Sequence, residues 1–118
     1  MTDSRRTGEV GEQTALAYLL EQGLTLVTRH YRSRFGEIDL ILRDGATLVF
    51  VEVRLRSSQR FGGAAASITR AKQTRIIATA RQFLVSQKPL PPCRFDVVLL
   101  GTGQPPTIEW LRNAFSAD

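Results

Sequence analysis

Asp39 and Glu52 are the side chains of this 118-residue chain whose type and spacing best suit chemistry. They lie in GEIDLILRDGATLVFVEVRLR, residues 36–56, which reads as two strands joined at Asp44-Gly45, a pair suited to the positive φ angles of a tight hairpin turn. Side chains alternate along a strand, so Val49, Val51, Val53 and Leu55 fall on one face of the second strand. Leu48, Phe50, Glu52, Arg54 and Arg56 fall on the other. If only Asp44 and Gly45 form the loop, Asp39 and Glu52 are diagonal neighbours on one face, roughly 7–8 Å apart at the backbone. A loop two residues longer sets them directly opposite. Either even loop keeps the carboxylates together, whereas an odd loop separates them unless a bulge restores the phase. Carboxylates crowded among apolar neighbours repel one another and lose hydration, and a divalent cation offsets both. The alternative is that Glu37 and Asp39 line a solvated strand face and Glu52 pairs with Arg54. Glu52 interrupts LVFVEV, otherwise a buried central strand, and that interruption favours a site.

Composition and charge bound what such a site could serve. The length suits one domain, residues 1–118, with a hydrophobic core of its own. Cys93 is the only cysteine, so neither an internal disulfide nor a cysteine-based zinc site can form. No apolar stretch follows the basic start MTDSRRTGEV, and no run approaches membrane-spanning length, so the expectation is a soluble cytoplasmic protein that does not engage a membrane. The net charge of +5 is unevenly spread. Between Val53 and Phe95 there is no acid, but there are nine basic residues, from Arg54 and Arg56 through Arg70, Lys72 and Arg75 to Arg94. A second basic cluster holds Arg29, His30, Arg32 and Arg34. Basic surface around a small acidic centre suits a protein that grips a polyanion and sets a metal against it. The plainer alternative is a basic domain that binds nucleic acid without chemistry.

The remaining elements must position these residues. Residues 8–22 read as a helix ended by Gly23, with Ala15, Leu16, Leu19 and Leu20 as its core-facing stripe. Glu12 stands one turn before that stripe, at the edge of the buried face, while Glu9 suits a helix-dipole role. Residues 24–32 form a first strand. His30, the only histidine, reads as a surface or phosphate-contacting residue rather than a metal ligand. SSQRFGGAAAS, after Arg56, reads as a loop. Ser67 is placed to cap a helix running to about Ser86, with Ile68, Ala71, Ile76, Ile77, Ala80, Phe83 and Leu84 buried. Arg70, Lys72 and Arg75 are poorly placed for the dipole of that helix, which suggests an external anion as their partner. Residues 94–100 form a further strand. A short edge strand over 107–111 and a frayed tail over 113–118 complete the chain. The order helix, three strands, helix, one or two strands gives an α/β fold with a mixed central sheet flanked by helices.

Four strings carry a resemblance: GE..A..YL...G at 11–23, GEIDLI at 36–41, FVEV.LR at 50–56 and RFDVV at 94–98. Together they resemble the YraN-like family, which is grouped with Holliday-junction resolvases and restriction-endonuclease-like nucleases. The resemblance covers nearly the whole chain. It implies a restriction-endonuclease-like core (α-β-β-β-α-β) and an endonuclease that uses Mg2+ or Mn2+ to cleave phosphodiester bonds in DNA, branched or structured DNA included. By the same resemblance Asp39 and Glu52 are the metal-binding carboxylates, the main-chain carbonyl of Val53 is a further ligand, and Glu12 is a helix carboxylate added to the site. Oxygen-only ligation suits magnesium. Arg54 falls where such nucleases carry a catalytic lysine, and arginine cannot act as a general base. It can grip a phosphate or stabilise charge building on one. Lys72 could supply the missing amine across the site. Arg56, Arg70, Lys72 and Arg75 are the candidate nucleic-acid contacts. Resolvase-like enzymes act as dimers on two strands, but no decisive dimer face is visible in the sequence.

Two other readings follow from the same residues. One is a catalytically silent nucleic-acid-binding module that keeps the nuclease fold. The other is an interaction domain whose sheet edge, over 107–111, pairs with another chain.

Overall fold

LVFVEV becomes the middle of a five-stranded sheet. The computed structural model describes the backbone of residues 4–55 and 68–117, with side chains of the first helix from residue 8 onward. In chain order the elements are α1 (Ser4–Glu21), β1 (Thr25–Ser33), β2 (Gly36–Asp44), β3 (Thr47–Leu55), α2 (Arg70–Leu84), β4 (Cys93–Leu100) and β5 (Ile108–Phe115). The strands lie in the order β1-β2-β3-β4-β5. All neighbours are antiparallel except β3 and β4, which run parallel from Leu48↔Cys93 to Leu55↔Leu100. A parallel pair needs a crossover, and α2 lies in that connection. The result is the mixed α/β sheet flanked by helices that the sequence implies, compatible with an α-β-β-β-α-β core and extended by a fifth strand at one edge.

Alternation in β3 feeds two cores. Val49 and Val51 join Leu40, Leu42, Val98 and Leu100 beneath Ala15 and Leu19 of α1. Leu48 and Phe50 join Ile41 and Phe95 beneath Ile76 and Ala80 of α2. Gly11 lets α1 come close to the sheet: a Cβ there would meet Leu100 Cδ1 at 3.2 Å and Leu55 Cδ2 at 3.5 Å. The buried line of α1 is therefore Gly11, Ala15 and Leu19, and Leu20 is 45% exposed rather than part of the stripe. The helix ends with Leu24 N–H donating to the Leu19 carbonyl and Gly23 N–H to that of Leu20. The apolar Leu24 and Leu19 close this motif in one core.

Other boundaries depart from expectation. The β2–β3 turn is Gly45-Ala46, not Asp44-Gly45, because Asp44 pairs with Thr47 and Gly45 alone supplies a positive φ of 61°. Thr69 caps α2 by accepting from Lys72 N, and Ser67 lies outside the described residues. Ala71 is exposed, while Thr79, not expected in the buried face, is fully buried. Its hydroxyl donates to the Arg75 carbonyl at 2.9 Å and so accepts from Ser33 Oγ at 2.8 Å, tying α2 to the β1–β2 hairpin.

The presumed tail is instead the end of β5, which reaches Phe115. Asp96, with a fully buried side chain, accepts from Trp110 Nε1 (3.0 Å), Asn113 N (2.9 Å) and Arg94 Nε (3.1 Å). Asn113 has a φ of 53°, and the β4–β5 register shifts beside it. The Asp96 side chain thus takes over a donor that an unbroken ladder would have paired. Asp96→Ala strands these donors and is expected to lower unfolding stability by about 2–4 kcal/mol in urea titration.

Candidate metal centre

The register of the central hairpin decides how the two acids meet. Pairs run from Asp44↔Thr47 to Leu40↔Val51, and one further step sets Asp39 opposite Glu52. That is the directly opposed arrangement, reached here with a two-residue turn placed one residue later than expected. The ladder does not continue through this step. Val53 N–H donates instead to Asp39 Oδ2 at 2.8 Å. Since both main-chain groups of a strand residue point to the same edge, the Val53 carbonyl also faces the side where β2 has stopped pairing.

The two carboxylates share a cleft of about 230 Å³ that is also lined by Gly36, Glu37, Lys72, Arg75 and Ile76. Glu52 is 5% exposed. Burial, and then the Glu52 charge, pushes the Asp39 carboxyl up to about 8, against the pull of the Val53 N–H. Glu12 adds a smaller push in the same direction. Two carboxyl groups are thus crowded where water is scarce, and Asp39 holds its proton more tightly than an exposed acid would.

Cations reach this centre from two sides. Lys72 Nζ is 2.8 Å from Glu52 Oε2, nearer than Arg54 Nη1 at 4.0 Å. From α1, Glu12 Oε1 lies 2.8 Å from His30 Nε2 and 4.0 Å from Arg29 Nη2. A regular strand would send Arg29 and His30 to opposite faces, but His30 has a φ of 53°, and both approach Glu12. His30 Nδ1 is 3.1 Å from Glu37 Oε1, and Arg32 Nε is 2.6 Å from Glu37 Oε2. Burial opposes ionisation of Glu37, yet the hydrogen bonds from His30 and Arg32 outweigh it and hold that carboxyl below its usual range. Burial raises Glu12, with His30 and Arg29 as partial counterweights.

Asp39, Glu52 and Val53 thus converge as the sequence suggests, and Arg54 lies beside them. Glu12 reaches the rim of the site with its carboxylate held by His30. Arg75 lines the cleft, Arg70 is exposed at the start of α2, and Arg56 lies outside the described residues. His30 lies at the surface, as expected, and in addition pairs with Glu12 and Glu37. Its one available signal was a histidine set in a strand opposite an acid-rich one, and the backbone angle that joins it to Glu12 leaves no mark in residue type. Among the described residues no three Asp, Glu, His or Cys side chains converge as a ready-made cage. The donor set fits a hard divalent cation nonetheless: two adjacent carboxyl groups and a carbonyl, all oxygen, with Lys72 at 2.8 Å and Arg54 at 4.0 Å from Glu52.

Comparison with known proteins gives the chain a family. The profile described as "Uncharacterised protein family UPF0102" matches residues 11–100, a span that contains Glu12, Asp39, Glu52 and Lys72. The chain belongs to the UPF0102 family. A UPF0102 protein of Nitrosomonas europaea is 56% identical over 115 residues and covers 98% of each chain. A UPF0102 protein of Ralstonia pickettii is 56% identical over 117 residues, covering 95% of this chain and 91% of its own. A third, from Cupriavidus taiwanensis, is 57% identical over 113 residues, or 94% and 83% of the two chains. The YraN-like resemblance carried by the four strings is this family. Among the described residues of the UPF0102 chain, no helix is long and apolar enough to cross a membrane.

Proposed function

We propose that this UPF0102 protein is a metal-dependent endonuclease of the cytoplasm that hydrolyses phosphodiester bonds in DNA, with branched or otherwise structured DNA as its substrate class. The observation that carries this reading is the meeting of Asp39 and Glu52 on adjacent central strands, in a cleft walled by Lys72 and Arg75. Asp39, Glu52 and the Val53 carbonyl would hold Mg2+ or Mn2+. Bound there, the ion supplies Lewis acidity, drawing charge from a phosphate oxygen and making water more acidic. Arg75 and the exposed Arg70 attract the DNA backbone. Arg54, permanently charged, stabilises charge on the phosphate and takes no proton.

The test is a cleavage assay on single-stranded, duplex, flap and four-way-junction DNA with Mg2+ or Mn2+. Product is expected only with metal, and EDTA should abolish it. Metal-independent cutting, or none on any substrate, would count against the reading. Arg54 in place of a lysine favours one second reading, a silent nucleic-acid-binding module. That module would bind DNA in a salt-sensitive way without metal-dependent product, and would weaken when Arg70, Lys72 and Arg75 are neutralised.

A further inference from the structure

Two cations flank Glu52, and the geometry ranks them. Arg54 follows on the same strand, but its Nη1 stands 4.0 Å from Glu52 Oε2. Lys72 comes from another element, and its Nζ stands at 2.8 Å from the same oxygen. Glu52 is 5% exposed, whereas the side chain of Lys72 is 36% exposed. The carboxylate is therefore fixed in place, and its partner is the group with room to move. Lysine carries its charge on a flexible four-carbon stem, which lets the ammonium change partners without moving the backbone.

The backbone beneath Lys72 is held in turn. Thr79 lies two turns along the same helix, buried and bonded to Ser33, and Ile76 lies one turn along in the α2-side core. Thr69 caps the helix on the N–H of Lys72 itself. Anchored at these points, α2 brings an ammonium over the acids by a fixed path, and the last carbons of the lysine provide the freedom.

We propose that Lys72 is the exchangeable counter-ion of this centre: its ammonium neutralises Glu52 while no divalent ion is present, and passes to a substrate phosphate once one binds. This rests on the metal-dependent reading above and assigns to Lys72 the pairing with Glu52 for which Arg54, 4.0 Å from the same oxygen, is placed too far. A cation bonded to a ligand oxygen competes with an incoming dication for that oxygen and repels it. Removing Lys72 should therefore tighten metal binding while depriving the phosphate of its partner. A general loss of structure cannot produce that opposed pair of effects.

The experiment is Mn2+ titration of EDTA-stripped full-length protein at pH 8, for wild type, Lys72→Met, Arg54→Met and Glu52→Gln. Each is also assayed on a four-way junction at saturating Mn2+. Lys72→Met is expected to bind Mn2+ about tenfold tighter and to cut at least about 10²-fold more slowly. Arg54→Met should change Mn2+ affinity by less than about threefold. Unchanged or weaker Mn2+ binding by Lys72→Met, with uptake still abolished by Glu52→Gln, overturns the inference and leaves the metal centre standing. If wild type takes up no Mn2+, or Glu52→Gln takes it up equally, the metal centre falls and Lys72's role falls with it. If wild type binds Mn2+ and cuts nothing, or Lys72→Met cuts as fast as wild type, transfer to the phosphate is overturned.

Discussion

Asp39→Asn is expected to reduce metal-supported DNA cleavage by about 10³-fold or more, and Glu52→Gln by a similar factor. The size follows from what the metal contributes, several kcal/mol of charge stabilisation, at about 1.4 kcal/mol per tenfold in rate. Each replacement keeps the shape of the side chain and removes one charge from a pair that sits side by side across β2 and β3. Metal uptake should disappear with the activity, and both proteins should fold. Indeed Asp39→Asn should be no less stable than wild type in EDTA, because the substitution relieves repulsion between buried acids. Glu12→Gln should cost less, since its carboxylate is already engaged by His30 at 2.8 Å. Cleavage and Mn2+ uptake left intact in Asp39→Asn would remove the proposed centre altogether.

The second large effect links stability to pH and metal. Asp39 in the folded protein is raised from 3.8 to about 8, so between these values the folded state keeps a proton that the unfolded chain has released. Stability falls with rising pH wherever the folded state binds more protons, and this group therefore works against folding progressively from about pH 4 to about pH 8. Glu12, also raised, acts in the same direction. Glu37 is lowered, so its contribution is complete above the ordinary carboxylate range and fades only in more acidic solution. A divalent cation binds the deprotonated pair and reverses the trend. In EDTA, wild type should lose melting temperature relative to Asp39→Asn as pH rises from 5 to 8, by roughly 5 °C or more. Millimolar Mn2+ should restore wild type at pH 8, do little at pH 5, and leave Asp39→Asn unmoved. Parallel melting curves for the two proteins in EDTA would show that Asp39 is not strained by its neighbours.

Much of this was legible because strand alternation is a strong constraint. Once Glu52 is placed among LVFVEV, its face is set by Leu48 and Phe50, and any even-phased turn puts Asp39 on the same side. The turn itself was misplaced by one residue, since Asp44-Gly45 and Gly45-Ala46 both offer a glycine and only long-range pairing chooses between them. Leu20 reads as core because a helical stripe has no visible width in sequence, and the close approach at Gly11 narrows it. Thr79 escaped notice because a threonine inside a helix is ordinarily a surface residue, and its partner Ser33 is remote in the chain. The end of β5 reads as polar and irregular because the donor of Asn113 is taken by Asp96, a contact between strands that composition cannot announce.

The parting of β2 from β3 beyond Leu40 and Val51 has a consequence for how such a protein can change. Its two acids stand on adjacent central strands, just past the last paired residues. A change of charge at Asp39 or Glu52 therefore leaves the remaining pairs of β2 and β3 untouched, whereas a slip of their register would move both acids at once.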